Sequence, residues 1–253
     1  MFVTSVYAAA QNSSCAADLI GINLKRQSFI DQSLTDFDRS DSISHYNQLL
    51  RDRVLECAHT PASLSRPFTE LSENGVGITA SPDGKLRVYS WDSGTGGTMR
   101  YAINVFQYGD GSGFYSQPAI WDNEDDSFEN TYFYDVLDQV TSEAKVYYLV
   151  KCLFIGSSAV SEHKIKIFSI DDGRLNENAA LIKTATGIRN ELSYSVDLAN
   201  EANLKNGHNN REWVELLYDA KTKTISIPLI TEAGRVTSKK IAYRFNGSYF
   251  VKL

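Results

Sequence analysis

The run Ser81-Pro82-Asp83-Gly84-Lys85-Leu86-Arg87-Val88-Tyr89-Ser90-Trp91-Asp92 decides the fold class. Pro82-Asp83-Gly84 is a turn signal, because proline presets φ, aspartate bonds its own backbone and glycine accepts positive φ. From Lys85 onward the side chains alternate with period two. Leu86 and Val88 share one face of a strand, and Arg87, Tyr89 and Trp91 share the other. The same period returns downstream: Ile165 and Ile167 alternate with Lys164 and Lys166, and Ile225, Ile227 and Leu229 with Thr224, Ser226 and Pro228. Gly109-Asp110-Gly111, Asp171-Asp172-Gly173, Asp219-Ala220-Lys221-Thr222 and Asn246-Gly247 punctuate these runs. Short alternating runs between such turns predict antiparallel sheet, with little room for the crossover helices of a parallel one.

Upstream the period is 3.6. Ile43, Tyr46, Leu50, Val54 and Cys57 share one helical face, with Ser40 or Asp41 as a start and Pro61 beyond the end. The segment from Lys25 to Phe37 is also helix-compatible, and Asp38-Arg39-Ser40-Asp41 reads as the polar break between two helices. Two such helices cannot bury their apolar faces on each other alone. The expected fold is therefore α+β, mainly β: an N-terminal helical element packed on an antiparallel meander or sandwich. An irregular β-propeller is the alternative, because Ser81 to Asp92 resembles a blade phrase, although it does not recur as a repeat family requires. The expected organisation is a leader remnant or disordered terminus over residues 1–11, the helical element over 12–74, and the β domain over 75–253. The polar stretch 191–210 reads as an irregular excursion.

Composition narrows the function classes. The chain has 253 residues, a net charge of −6 and scattered lysine and arginine. A duplex-binding protein carries a basic stripe to displace counterions, so nucleic acid is not an expected partner. No stretch approaches the roughly 20 apolar residues of a membrane span. Met1 to Gln11 is short, apolar and closes on small residues, like the tail of a secretory leader without its charged n-region. Cys15 and Cys57 flank the most helical part, and an antiparallel arrangement of that segment brings them within bridging reach. Such a bridge fits a periplasmic or secreted protein, whereas three reduced thiols fit a cytoplasmic one. Cys152 alternates in register with Val146, Tyr148, Val150 and Phe154 and reads as a small buried hydrophobe.

Several patterns invite a chemical reading. The loop Asp92-Ser93-Gly94-Thr95-Gly96-Gly97-Thr98 is glycine-rich, but a phosphate cradle needs a helix after it and a lysine, and neither is expected here. Asp122, Glu124 and Asp126 alternate as oxygen ligands for calcium would, yet the loop fails the EF-hand pattern, so no cofactor is expected. None of His45, His59, His163 and His208 makes a metal-spaced pair, and Ser161 to Lys164 matches only the bare SxxK pattern. The most distinctive surface is the Arg87, Tyr89, Trp91, Asp92 face with Arg100 and Trp121 nearby. If exposed, it offers a fork donor and two aromatic plates to a sugar, peptide or carboxylate. If buried, the aromatics are core and Arg87 pairs internally with a group such as Asp92.

The stretch 81–99, with Asp83-Gly84-Lys85-Leu86-Arg87, Tyr89-Ser90-Trp91-Asp92 and Thr95-Gly96-Gly97-Thr98-Met99, resembles uncharacterised extracytoplasmic β-rich proteins of Gram-negative bacteria. Tyr243-Arg244-Phe245-Asn246-Gly247-Ser248-Tyr249-Phe250-Val251 is similar to a terminal hairpin of such proteins. The resemblance implies the compartment and no activity. The sequence thus leans towards a non-catalytic binding module for a protein or glycan partner of the cell envelope. The alternative is an envelope-polymer hydrolase or lyase with an acid and a base among its carboxylates.

Overall fold

The computed structural model describes residues 3–31, 36–58, 63–64, 66–111, 113–119, 130–204 and 213–253, with side chains from Cys15 onward except 36–38. The elements run α1 (Val3–Ile30), α2 (Asp36–Cys57), α3 (Thr69–Glu73), β1 (Gly77–Ala80), β2 (Leu86–Asp92), β3 (Ala102–Gly109) and β4 (Phe114–Pro118). They continue with β5 (Tyr132–Ser142), β6 (Lys145–Ile155), β7 (Val160–Asp171), β8 (Arg174–Asn176), β9 (Ile182–Thr184), β10 (Gly187–Arg189) and β11 (Glu191–Asp197). Last come α4 (Glu201–Leu204), β12 (Leu217–Asp219), β13 (Thr224–Ile230), β14 (Val236–Phe245) and β15 (Phe250–Lys252). The fold is α+β and mainly β, and among the described residues its sheets close into neither a barrel nor a propeller. Among the described residues the strands pair antiparallel except β15 and β9, which run parallel. The chain divides into two compact units, Met1–Asp135 and Val136–Leu253.

In the first unit β1 to β4 form a four-stranded meander in chain order. The helices lie on one of its faces: Leu19, Leu50 and Val54 pack with Tyr89, Trp91, Ile103 and Val105 in a single core. The helical element therefore belongs with the first four strands, and the division falls near residue 135 instead of 74. Both apolar surfaces need each other to leave water. Val3 to Gln11, read as a leader remnant or disordered end, is helical backbone continuous with α1. The break between helices precedes the expected one, since Asp38 to Asp41 lie inside α2. The disulfide joins Cys15 of α1 to Cys57 of α2.

In the second unit a sheet of order β11-β7-β6-β5 packs on one of order β10-β9-β15-β14-β13-β12. Leu149, Ile165, Ile167 and Leu192 of the first meet Ile182, Ile225, Ile227 and Phe250 of the second in one core, a sandwich. Residues 191–197, read as part of an irregular excursion, are strand β11, paired to β7 over seven residues. Leu192, Tyr194 and Val196 alternate inward there, and the polar residues between them face out. Asp138 of β5 accepts hydrogen bonds from Tyr218 Oη at 2.7 Å and Lys223 Nζ at 2.5 Å. Burial alone would raise its pKa; these donors outweigh it and hold the carboxyl below its usual range.

The turn signals do what their chemistry demands. Asp83 Oδ1 accepts from Ser81 Oγ at 2.6 Å and from the Lys85 amide at 3.0 Å, closing the β1–β2 hairpin. Asn246 Oδ1 accepts from the Ser248 and Tyr249 amides in the β14–β15 turn. Asp219 caps the β12–β13 turn in the same way. Cys152 is buried as expected, and burial raises its thiol pKa so far that it stays protonated.

Candidate functional site

Strand β2 is buried on both faces. Arg87 is 5% exposed, Tyr89 2% and Trp91 1%, so the predicted recognition face is interior. A strand's alternation says which side chains share a face; it does not say that α1 and α2 cover this one. The Arg87 guanidinium donates through Nη1 to the carbonyls of Ser63 at 2.7 Å and Arg66 at 2.6 Å, not to Asp92. Tyr89 Oη donates to Gln107 Oε1 at 3.0 Å, and Gln107 Nε2 donates to the Ala58 carbonyl and Ser63 Oγ. Burial raises the Tyr89 pKa, and the Arg87 charge partly offsets this. This network ties the segment after α2 to the sheet. Trp121 and the calcium candidates Asp122, Glu124 and Asp126 lie outside the described residues.

Asp92 and Arg100 are the predicted site residues that reach the surface together. They form an ion pair of 2.9 Å, with side chains 35% and 51% exposed, across residues 93–101. Strands flank that connection on both sides, as expected for a glycine-rich hairpin loop. Its root is unusually well built. Arg26 of α1 donates from Nη1 to the Asp92 carbonyl at 2.8 Å, and Asn47 of α2 donates to the Ser93 carbonyl at 2.7 Å. Trp91 Nε1 donates to Asn47 Oδ1 at 3.1 Å, and Arg26 Nε to Asn23 Oδ1 at 3.1 Å. Asp92 Oδ1 accepts from the Gly94 amide, and Ser93 pairs with Tyr101 by backbone. Burial pulls the Arg26 pKa down to about 10, with the Asp92 charge opposing; the group remains charged at neutral pH.

Two glycines have no substitute in this loop. Gly94 has φ +74°, and a Cβ there would lie 2.7 Å from Ile30 Cδ1. A Cβ on Gly96 would collide with the Met99 carbonyl oxygen. The chain is thus folded back hard on itself beneath the helix ends, and Met99 and Arg100 project outward.

Asn23, Arg26 and Asn47 were not among the predicted site residues. Asn47 sits four residues after Ile43 and three before Leu50, inside the buried stripe of α2. A polar residue at a core phase of a helix is the signal that reveals such an anchor, because it is tolerated only where a partner waits.

In the second unit His163 of β7 stacks flat on Tyr194, ring centroids 5.1 Å apart. Its Nε2 lies 3.1 Å from Ser161 Oγ, and its Nδ1 has no partner among the described residues. Burial, with Lys151 and Lys240 nearby, pushes its pKa down to about 4. The folded state therefore favours the neutral ring, while the unfolded chain takes up a proton at about 6.5. Stability from this group is complete above that value and falls as pH drops towards 4. The expected loss is about 2–3 kcal/mol, levelling below pH 4. Urea unfolding from pH 7 to 4 checks it: His163→Phe should flatten the curve over that window, and an unchanged slope would refute the assignment.

No protein-family profile matches the chain, and no curated protein or solved structure does either.

Proposed function

We propose that the chain is a non-catalytic, extracytoplasmic binding module whose β2–β3 loop recognises a protein or glycan partner of the cell envelope. One observation carries the reading: buried polar side chains from two helices converge on the root of one irregular loop. Interior arginine and asparagine are costly to bury, and here both hold the carbonyls of Asp92 and Ser93. A loop fixed by a rigid scaffold, with an arginine and a methionine on its outer side, is the usual form of a recognition element. The Cys15–Cys57 bridge supports an oxidising compartment. Among the described residues no helix is long and apolar enough to cross a membrane.

The test separates loop from core. Arg100→Ala and Met99→Ala each remove an exposed side chain, so stability should move by no more than roughly 0.5 kcal/mol. Capture on arrays of envelope glycans and envelope-protein peptides should weaken about tenfold or more, the effect of losing one anchor side chain. Wild-type capture by both variants, or turnover of an envelope polymer by the purified chain, would overturn the reading.

A further inference from the structure

At the other end of β2, two hairpin turns of the first unit frame an open cavity of about 360 Å³, lined by Leu64, Asp83, Gly84, Lys85, Gly109, Gly111 and Phe114. Its size is at the small end of ligand pockets. Three glycines make the space. Gly84 and Gly111 have φ of +66° and +91°, and a Cβ on either would meet nothing within 4 Å, so these turns leave the volume open. The Phe114 ring lies 3.0 Å from where a Gly109 Cβ would stand and forms part of the wall. Leu64 is buried beside it.

The rim carries two charges of different standing. Asp83 is turned into its own hairpin, accepting from Ser81 Oγ and the Lys85 amide. Lys85 is held by its backbone, its amide on Asp83 and its carbonyl accepting from the Gly109 amide at 2.9 Å. Its side chain is exposed, and its ammonium has no hydrogen bond or ion pair among the described residues. An apolar wall with one engaged acid and one available cation complements a particular chemistry. We infer that the cavity binds a small apolar carboxylate, its hydrocarbon body against Leu64 and Phe114 and its carboxylate on Lys85. This site is distinct from the β2–β3 loop and stands whether or not that loop recognises a partner.

Phenylacetate and its neutral isostere phenylacetamide are the probes, and the amides of Gly84, Gly109 and Gly111 are the reporters in a nitrogen–proton correlation spectrum. Saturable shifts at all three glycines are expected with phenylacetate. Affinity for the amide should be about threefold weaker, the gain of an exposed charge pair over a neutral contact. Lys85→Gln alters an exposed side chain and should make the two probes bind equally. No shift at the glycines, equal binding of both probes to the wild-type chain, or an undiminished preference for the carboxylate in Lys85→Gln would overturn the inference.

Discussion

Replacing Trp91 by alanine is expected to destabilise the protein by about 3–5 kcal/mol, the range measured for emptying a large aromatic site in a packed core. Trp91 is among the largest fully buried side chains and packs in the core that joins the helices to the first sheet. Two losses combine. The indole volume becomes a cavity between α2 and β2–β3, and Asn47 Oδ1 loses the Trp91 N–H that satisfies it. Trp91→Phe isolates the first from the second: it keeps most of the ring and removes the donor, so its cost should be about 1–3 kcal/mol, that of an orphaned buried acceptor with a small void. The check is chemical denaturation followed through tyrosine and far-ultraviolet signals, which survive loss of the tryptophan. Had β2 presented this face to solvent, Trp91→Ala would leave stability unchanged; that result would reinstate the surface reading and remove the core described above.

The contrast marks where the sequence is legible. A turn is written in two or three adjacent residues, so Pro82-Asp83-Gly84 and Asn246-Gly247 identify their hairpins locally. The turn between β5 and β6 escapes, because positive φ there falls on Glu143 and Ala144, which carry no such signature. Strand β11 escapes for another reason. Leu192, Tyr194 and Val196 alternate correctly, but polar neighbours dilute the run to an average that resembles a loop. The candidate site is harder still. Whether Arg87 and Trp91 face water depends on helices that end about thirty and about sixty residues upstream, and period-two alternation carries no information about what lies opposite. Asp92 and Arg100 survive as surface residues because the helices hold the backbone carbonyls at the root of this connection and leave these two side chains exposed. The anchors Arg26 and Asn47 could have been found only by asking why an otherwise apolar helical stripe tolerates a polar side chain.

Reducing the Cys15–Cys57 bridge is expected to destabilise the protein by about 4 kcal/mol, the loop-closure estimate for a cross-link of this span. The bridge joins residues 42 apart with Cα atoms 6.1 Å from each other. It closes one end of an antiparallel helix pair. Arg53 of α2 reaches Asp18 of α1, Phe29 stacks on Tyr46 at 5.5 Å, and Arg39 donates to the Ile30 carbonyl at the other end. These pairs fix a register, but the ion pair is half-exposed and contributes little. The faces that the helices turn to the sheet carry Asn23, Arg26 and Asn47 among the apolar residues, so docking must satisfy each of them before it gains from burial. An open helix pair would have to find that register and the sheet together, whereas the bridge removes much of the search from the unfolded chain. Denaturant midpoints measured with and without reductant, and on a Cys15→Ser, Cys57→Ser double variant, check this. Both should lose the same amount, since Cys152 is buried and its thiol takes no part. Equal midpoints in all three would mean that the helices hold their register through packing alone, and that the bridge contributes nothing to folding.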